Sequence, residues 1–137
     1  MDHSNRPTTE EFFLFVYGTL MRGGPRASVL ASQQFLAEAT TASGYALYDL
    51  GPYPAMVRQD GASAVHGELL AVSTSLLDEL DRVEGAPEMY RLEEIRLNEH
   101  AGPVFSYLYQ PDTRGRRQIA GGQWDNRRAA PWHGGAL

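Results

Sequence analysis

The sequence predicts an α+β domain built on a curled or barrel-like sheet. Three observations lead there. Short apolar or alternating runs of strand length recur along the chain between turn-forming residues. A single segment carries the full set of helix start, face and stop signals. The length of 137 residues suits one domain with a real hydrophobic core and is too short for two ordinary ones. Many strands and one strong helix joined by short turns define the α+β class, without giving strand order.

Residues 1–11 are polar and read as a flexible N-terminus, leaving residues 12–137 as the domain. The run Phe12, Phe13, Leu14, Phe15, Val16, Tyr17 is continuously apolar and aromatic and stops at Gly18, as expected of a central strand buried on both faces. Arg22, Gly23, Gly24 and Pro25 form a loop, and a helix of a turn or two fits residues 27–33. Residues 35–50 favour extended structure in two segments bent at Gly44. Gly51, Pro52, Tyr53 and Pro54 make a turn, with a short strand at Ala55, Met56 and Val57. Asp60-Gly61 reads as a hairpin turn into the strand of residues 64–73, where the bare Gly67 suggests close approach of another backbone. The helix opens at Ser73, Thr74 and Ser75, with Asp78 as capping partner of Ser75, and closes at Gly85 with Pro87 beyond. Residues 90–98 and 104–110 are strands joined around His100, Ala101, Gly102 and Pro103. From Pro111 the Gly, Arg and Pro content suggests an irregular tail over the surface.

Composition removes several function classes. There is no cysteine, hence no disulfide, thiolate zinc site or cysteine nucleophile. Every basic side chain among the twelve is arginine, which removes Schiff-base lysine chemistry and the Walker-type lysine. A net charge of -5 argues against general nucleic-acid binding, since only Arg114, Arg116, Arg117, Arg127 and Arg128 in the tail could supply a basic face. No window approaches the roughly 18 consecutive apolar residues of a membrane helix. The N-terminus lacks the basic and apolar regions of a secretory signal, so the expectation is a cytoplasmic protein. His3, His66, His100 and His133 have no metal-ligand spacing, so no metal is expected. No Gly-x-Ser-x-Gly elbow is present, and Thr41, Ala42, Ser43 and Gly44 do not make one.

The helix carries the first functional signal. At 100° per residue with Leu76 at zero, Val83, Leu80 and Leu77 span about 120°, and Glu84 falls near 80°, inside the stripe. Asp78, Glu79, Asp81 and Arg82 occupy the other side. A carboxyl on an apolar face, in the last turn where the helix dipole is negative, is expected to have a raised pKa. A glutamate moved up from about 4.3 toward neutrality suits general acid/base work. Periodicity alone leaves a second placement open, with Glu84 turned outward at a frayed end or paired with Arg82, Arg91 or Arg96.

Four segments, in order, resemble the gamma-glutamylcyclotransferase-like (AIG2-like) proteins. They are Phe15-Val16-Tyr17-Gly18-Thr19-Leu20 followed by Met21-Arg22-Gly23-Gly24; Tyr53-Pro54-Ala55-Met56-Val57; Val65-His66-Gly67-Glu68-Leu69; and Leu77-Asp78-Glu79-Leu80-Asp81-Arg82-Val83-Glu84-Gly85 with Tyr90-Arg91 beyond. Together they span about residues 13 to 110. The resemblance implies a small mixed β-barrel with flanking helices, a cavity for a γ-glutamyl group, and intramolecular aminolysis giving 5-oxoproline and a free amine.

On that resemblance Glu84 is the catalytic acid/base, and Tyr17, Gly18, Thr19, Leu20 and Tyr90 bind substrate. No cofactor is implied. The partner is a small γ-glutamyl molecule, and the chain is a monomer or weak homodimer. Five-membered ring closure is largely a matter of orientation, and backbone N–H groups of a glycine-containing turn can converge on a carboxylate or oxyanion. Tyr90 also fits a plain strand aromatic, and Glu68 an ordinary strand-surface charge. The rival reading is a non-catalytic small-molecule or protein-binding module on the same fold, and a third is an unrelated small-barrel interaction domain.

Overall fold

Strand β1 (Glu11–Val16) is the centre of a five-stranded sheet ordered β2-β5-β1-β7-β6. In this computed structural model, which describes residues 6–126, β1 runs antiparallel to β5 (His66–Ser73) along its full length. It lies parallel to β7 (His100–Tyr109) at Phe13 and Leu14, so the sheet is mixed. Because side chains alternate across a strand, Phe12, Leu14 and Val16 enter one apolar cluster while Phe15 and Tyr17 enter another. The unbroken hydrophobicity of β1 thus reflects a core on each face.

The first cluster takes Leu77 and Leu80 of helix α1 (Leu77–Glu84). The second takes Tyr45, Leu47 and Met56 from a three-stranded sheet ordered β4-β3-β8. In that sheet β3 is Tyr45–Asp49, β4 is Pro54–Arg58 and β8 is Arg117–Gln118. The large sheet curls until its edge strands β2 (Gln34–Thr40) and β6 (Tyr90–Leu97) approach at one corner. There Thr41 bridges Leu97, with Ala42 N–H donating to Arg96 O at 2.9 Å and Asn98 N–H to Thr40 O at 2.9 Å. The expected barrel is therefore a curled sheet that touches itself at a corner and does not close. Among the described residues α1 is the one α-helix, beside two 3-10 turns, Ala27–Leu30 and Thr74–Leu76, in place of the expected flanking helices.

Four local expectations change. The Asp60-Gly61 turn joins β4 to β5, which lie in different sheets, and so makes no paired hairpin. The β6–β7 turn falls at Asn98 and Glu99, since Leu97 already pairs with His100 and Glu99 takes φ 63°. Ser73 caps the 3-10 turn that precedes α1, its hydroxyl accepting from Ser75 N–H at 3.2 Å, while α1 itself has no side-chain cap, so the expected Ser75–Asp78 pair does not form. The tail is tied down: β8 pairs with β3, and Trp124 is buried in the second cluster. Arg127, Arg128, His3 and His133 lie outside the described residues. No helix of the described residues is long and apolar enough to cross a membrane.

Gly67 shows how tightly β5 lies on β1. A Cβ there would stand 2.2 Å from Val16 O and 2.7 Å from the Phe15 ring. Gly67→Ala is expected to lower stability by about 1–3 kcal/mol through forced separation of the two strands, read as a lower urea midpoint. An unchanged midpoint would mean that the contact relaxes freely.

Candidate active site

The exit of β1 is a tight turn. Met21 N–H donates to Gly18 O at 3.0 Å, and Arg26 N–H donates to Thr19 O at 3.0 Å. The Asn126 side-chain amide reaches back across the sequence to Gly18 O at 3.2 Å. A side chain at Gly18 is excluded, because a Cβ would lie 2.6 Å from Pro54 Cγ. The loop beyond is anchored by Glu68, which accepts from Arg22 N–H at 3.0 Å and Arg22 Nε at 3.2 Å. Glu68 is thus a buried anchor and not a strand-surface charge. The guanidinium of Arg22 lies 3.5 Å from the centre of the Phe35 ring. Held this way, the N–H groups of Gly18, Thr19 and Leu20 donate to no group among the described residues.

The same cleft is lined by Tyr17, Gly18, Thr19, Leu20, Glu84 and Tyr90, the six positions singled out from the sequence. Its interior holds about 30 Å³, room for a water or two. Seven further residues line it, and the four of them with polar side chains, Arg26, Tyr53, Ser106 and Tyr107, were not foreseen as site residues.

Glu84 is the last residue of α1, 5 % exposed. The helix buries Leu77, Leu80 and Glu84, while Leu76 and Val83 sit at the margin. The buried stripe is centred closer to Glu84 than the pattern of leucines and valine suggests. Gly85, in the left-handed region at φ 66°, ends the helix directly after it. The outward placement beside Arg82, Arg91 or Arg96 does not occur: these arginines are exposed, and Arg91 pairs with Glu93.

The partner of Glu84 is Arg26, with Nη2 3.5 Å from Oε2. Arg26 also donates from Nε to Thr19 Oγ1 at 2.8 Å and from Nη1 to Val83 O at 3.1 Å. One guanidinium therefore links the turn, a free carbonyl at the negative end of α1 and the carboxylate, a favourable place for a cation. Burial pushes the Glu84 carboxyl up to about 7, and Arg26 moderates the rise. Arg26 stands in a Gly- and Pro-containing loop with no periodicity. The signal available was the buried acid itself, which calls for a cation close to the turn.

The tyrosine hydroxyls are committed to the fold. Tyr17 donates to Tyr107 O at 2.7 Å and accepts from Met56 N–H at 3.3 Å. Tyr90 donates to Pro54 O at 2.8 Å, and Tyr107 to Asp81 Oδ1 at 2.7 Å. Burial pushes all three phenols well above their ordinary range, with the charge of Glu84 adding to the effect. They stay neutral and hold the walls in place. Asp81, expected on the solvated side, is half-buried at the border and also pairs with Arg6 at 3.1 Å.

The arrangement can bind an anionic or carbonyl oxygen at the turn amides and exchange a proton at Glu84. Among the described residues no three His, Cys, Asp or Glu side chains cluster as metal ligands.

Comparison with known proteins matches the chain to a family. The family model described as gamma-glutamyl cyclotransferase, AIG2-like, matches residues 14–126. A Vibrio cholerae protein described as a candidate gamma-glutamylcyclotransferase is 38% identical over 117 residues, covering 85% of this chain and 98% of its own. The gamma-glutamylcyclotransferase family protein YtfP of Escherichia coli is 31% identical over 114 residues, covering 83% of this chain and 96% of its own. The crystal structure of an AIG2-like protein of Mus musculus superposes with a TM-score of 0.75 at 23% identity, covering 92% of this chain and 99% of that one, a likeness of fold. The match takes in the second half of β1, the turn, α1 and the tail up to Asn126, and the chain belongs to the AIG2-like gamma-glutamyl cyclotransferase family.

Proposed function

We propose that the protein cyclises a γ-glutamyl amine or amide to 5-oxoproline and releases the free amine, with Glu84 moving the proton. The observation that carries this reading is a buried carboxyl with a pKa near neutrality lining the same cleft as a turn of undonated backbone amides. Glu68, the other buried acid, is held by Arg22 and belongs to the loop anchor.

The steps balance without a cofactor. The substrate's α-amino nitrogen attacks the γ-carbonyl carbon, forming the ring C–N bond, while its proton passes to the Glu84 carboxylate. The carbonyl oxygen carries the developing negative charge, which the amides of Gly18, Thr19 and Leu20 stabilise. Collapse of this intermediate breaks the bond to the leaving nitrogen, to which Glu84 returns the proton. Tyr17 and Tyr90 act as fixed walls that confine the folded conformer, supplying orientation in place of a covalent intermediate.

The direct experiment incubates the purified protein with γ-glutamyl amino acids, γ-glutamyl amines and ε-(γ-glutamyl)lysine, and assays 5-oxoproline. Glu84→Gln is expected to lose at least about a hundredfold in kcat while retaining substrate binding. Full activity in that variant would remove Glu84 from the mechanism. Silence of the wild type across the panel would favour a binding module on this fold.

Two pH dependences follow from the raised carboxyl. Since the base must be ionised, kcat/KM should fall on the acidic side with a pKa of about 7, and a plateau extending down to about pH 4 would contradict it. Stability runs the same way in sign. A carboxyl whose folded pKa lies above its unfolded value stabilises the fold at low pH, and that contribution is lost as pH rises through the folded value. Between pH 5 and pH 8 the stability difference should therefore shift toward Glu84→Gln by on the order of 2 kcal/mol. Parallel melting curves for the two proteins across that range would show that Glu84 is not held in this way.

A further inference from the structure

Resting on the cyclotransferase reading, we propose that Asn126 is a positioning residue of the reaction, whose side-chain amide aims the Thr19 N–H of the exit turn into the cleft. The Gly18–Thr19 peptide is trans, so its C=O and N–H lie in one plane and point in opposite directions. Whatever holds Gly18 O therefore also sets the direction of Thr19 N–H. Gly18 O accepts from two donors, Met21 N–H at 3.0 Å and Asn126 Nδ2 at 3.2 Å, which occupies both of its lone pairs. The next peptide is treated alike, since Arg26 N–H donates to Thr19 O at 3.0 Å and so directs Leu20 N–H. Met21 and Arg26 belong to the same loop as the turn and move with it. Asn126 lies 108 positions along the chain from Gly18 and ties the turn to the rest of the fold.

The Asn126 amide is itself oriented from both sides. Trp124 Nε1–H donates to Asn126 Oδ1 at 3.0 Å, and an indole N–H can only donate while a peptide carbonyl can only accept. The amide therefore has one fitting orientation, Oδ1 on the indole and Nδ2 on Gly18 O. The indole is fixed in turn, since Trp124 is buried in the second apolar cluster. Upstream the chain is pinned by β8 on β3, by Ile119 N–H donating to Leu47 O at 2.7 Å, and by Gly122 O accepting from His66 N–H at 2.8 Å. The route from β8 to Asn126 is thus a strap that carries the rigidity of the core to one carbonyl of the turn. The space it needs is kept by Gly24, where a Cβ would stand 3.0 Å from Asn126 Nδ2 and 2.5 Å from Thr19 O. Asn126 itself does not line the cleft. Its effect on turnover comes through the turn, because oxygen-binding amides act by preorganisation and a misplacement of about 1 Å can cost a hundredfold in rate.

Kinetics and melting are compared for the wild type, Asn126→Leu, Asn126→Asp and Trp124→Phe, using the γ-glutamyl compound of the panel that the wild type turns over fastest. Asn126→Leu keeps the size of the side chain and loses the donor, and Asn126→Asp places a carboxylate against Gly18 O. Each is expected to lose about tenfold to a hundredfold in kcat with KM nearly unchanged, since the developing oxyanion is the group the turn amides meet. The acidic limb of the Asn126→Leu profile should stay where the wild type has it, because Glu84 is untouched. Trp124→Phe retains a buried ring but frees the Asn126 amide to turn over; it should show a smaller loss of the same kind, and it decides the matter if the Asn126 variants do not fold. A merely structural contact would lower the melting temperature and leave kcat, measured well below it, at the wild-type value. That result in folded Asn126 variants overturns the proposal and leaves the cyclotransferase standing. A displaced acidic limb accompanying the loss in kcat also counts against it, as the damage then lies at Glu84. Should the wild type turn over no γ-glutamyl compound, the cyclotransferase reading fails, and the aim of the amides is read by NMR with 5-oxoproline as the probe. Shifts of the Thr19 and Leu20 N–H resonances that appear in the wild type and vanish in Asn126→Leu support the positioning role. Equal shifts in both proteins, or none in either, overturn it.

Discussion

Everything in this fold is arranged around one strand that is apolar on both faces. β1 cannot lie at a surface, because Leu14 and Phe15 point in opposite directions and both are fully enclosed. One face is covered by α1 and the other by the small sheet. Two layers on a six-residue strand leave its exit turn at the junction of both cores. The turn is therefore placed with the precision of packed interiors and not with the freedom of a surface loop. Pro54 above Gly18, the backbone of β1 against Gly67, and the Asn126 amide on Gly18 O each remove a way for the turn to move.

Placing a carboxyl beside that turn works against folding. Burial opposes its ionised form, and its position at the end of α1 adds the unfavourable pole of the helix. Arg26 answers both at once, through Val83 O and the Glu84 carboxylate. Yet the compensation is partial, since the carboxyl still rises to about 7. A closer pair with shorter hydrogen bonds would have driven it down, as happens at Glu93, where Arg58 and Arg91 pull the carboxyl below the usual range. The difference lies in exposure and geometry: Glu93 meets two arginines near the surface, whereas Glu84 meets one across a gap.

Much of this was legible in the sequence, where the signal was local. The unbroken apolar run of β1, the glycine that ends α1, the missing side chain of Gly67 and the inward angle of Glu84 each follow from one segment read alone. What was not legible depended on distant pairing. Asp60-Gly61 has the chemistry of a hairpin turn, but nothing local says that its strands go to different sheets. The residues around Trp124 look like an irregular tail until a hydrophobic pocket across the fold is seen to receive them. Glu68 has the spacing of a surface residue, and only the arrival of Arg22 from the turn loop explains its burial. Arg26 belongs to the same class, being important through contacts to three segments and patterned by none.

The value near neutrality is best understood as a balance between those opposing effects, and the balance selects which group can carry protons. Burial without Arg26 would raise the Glu84 carboxyl further and favour its protonated form. A tight ion pair would leave it ionised and unable to hold one long enough to return it. The tyrosines around it cannot substitute. Their hydroxyls are donated to backbone carbonyls and a carboxylate, and burial holds them far from ionisation. The turn amides supply fixed dipoles and no exchangeable acid. In this cleft the walls, the exit turn of β1 and the cation are each held by hydrogen bonds. Among the described residues lining it, Glu84 is the one buried carboxyl, and its pKa is raised toward neutrality.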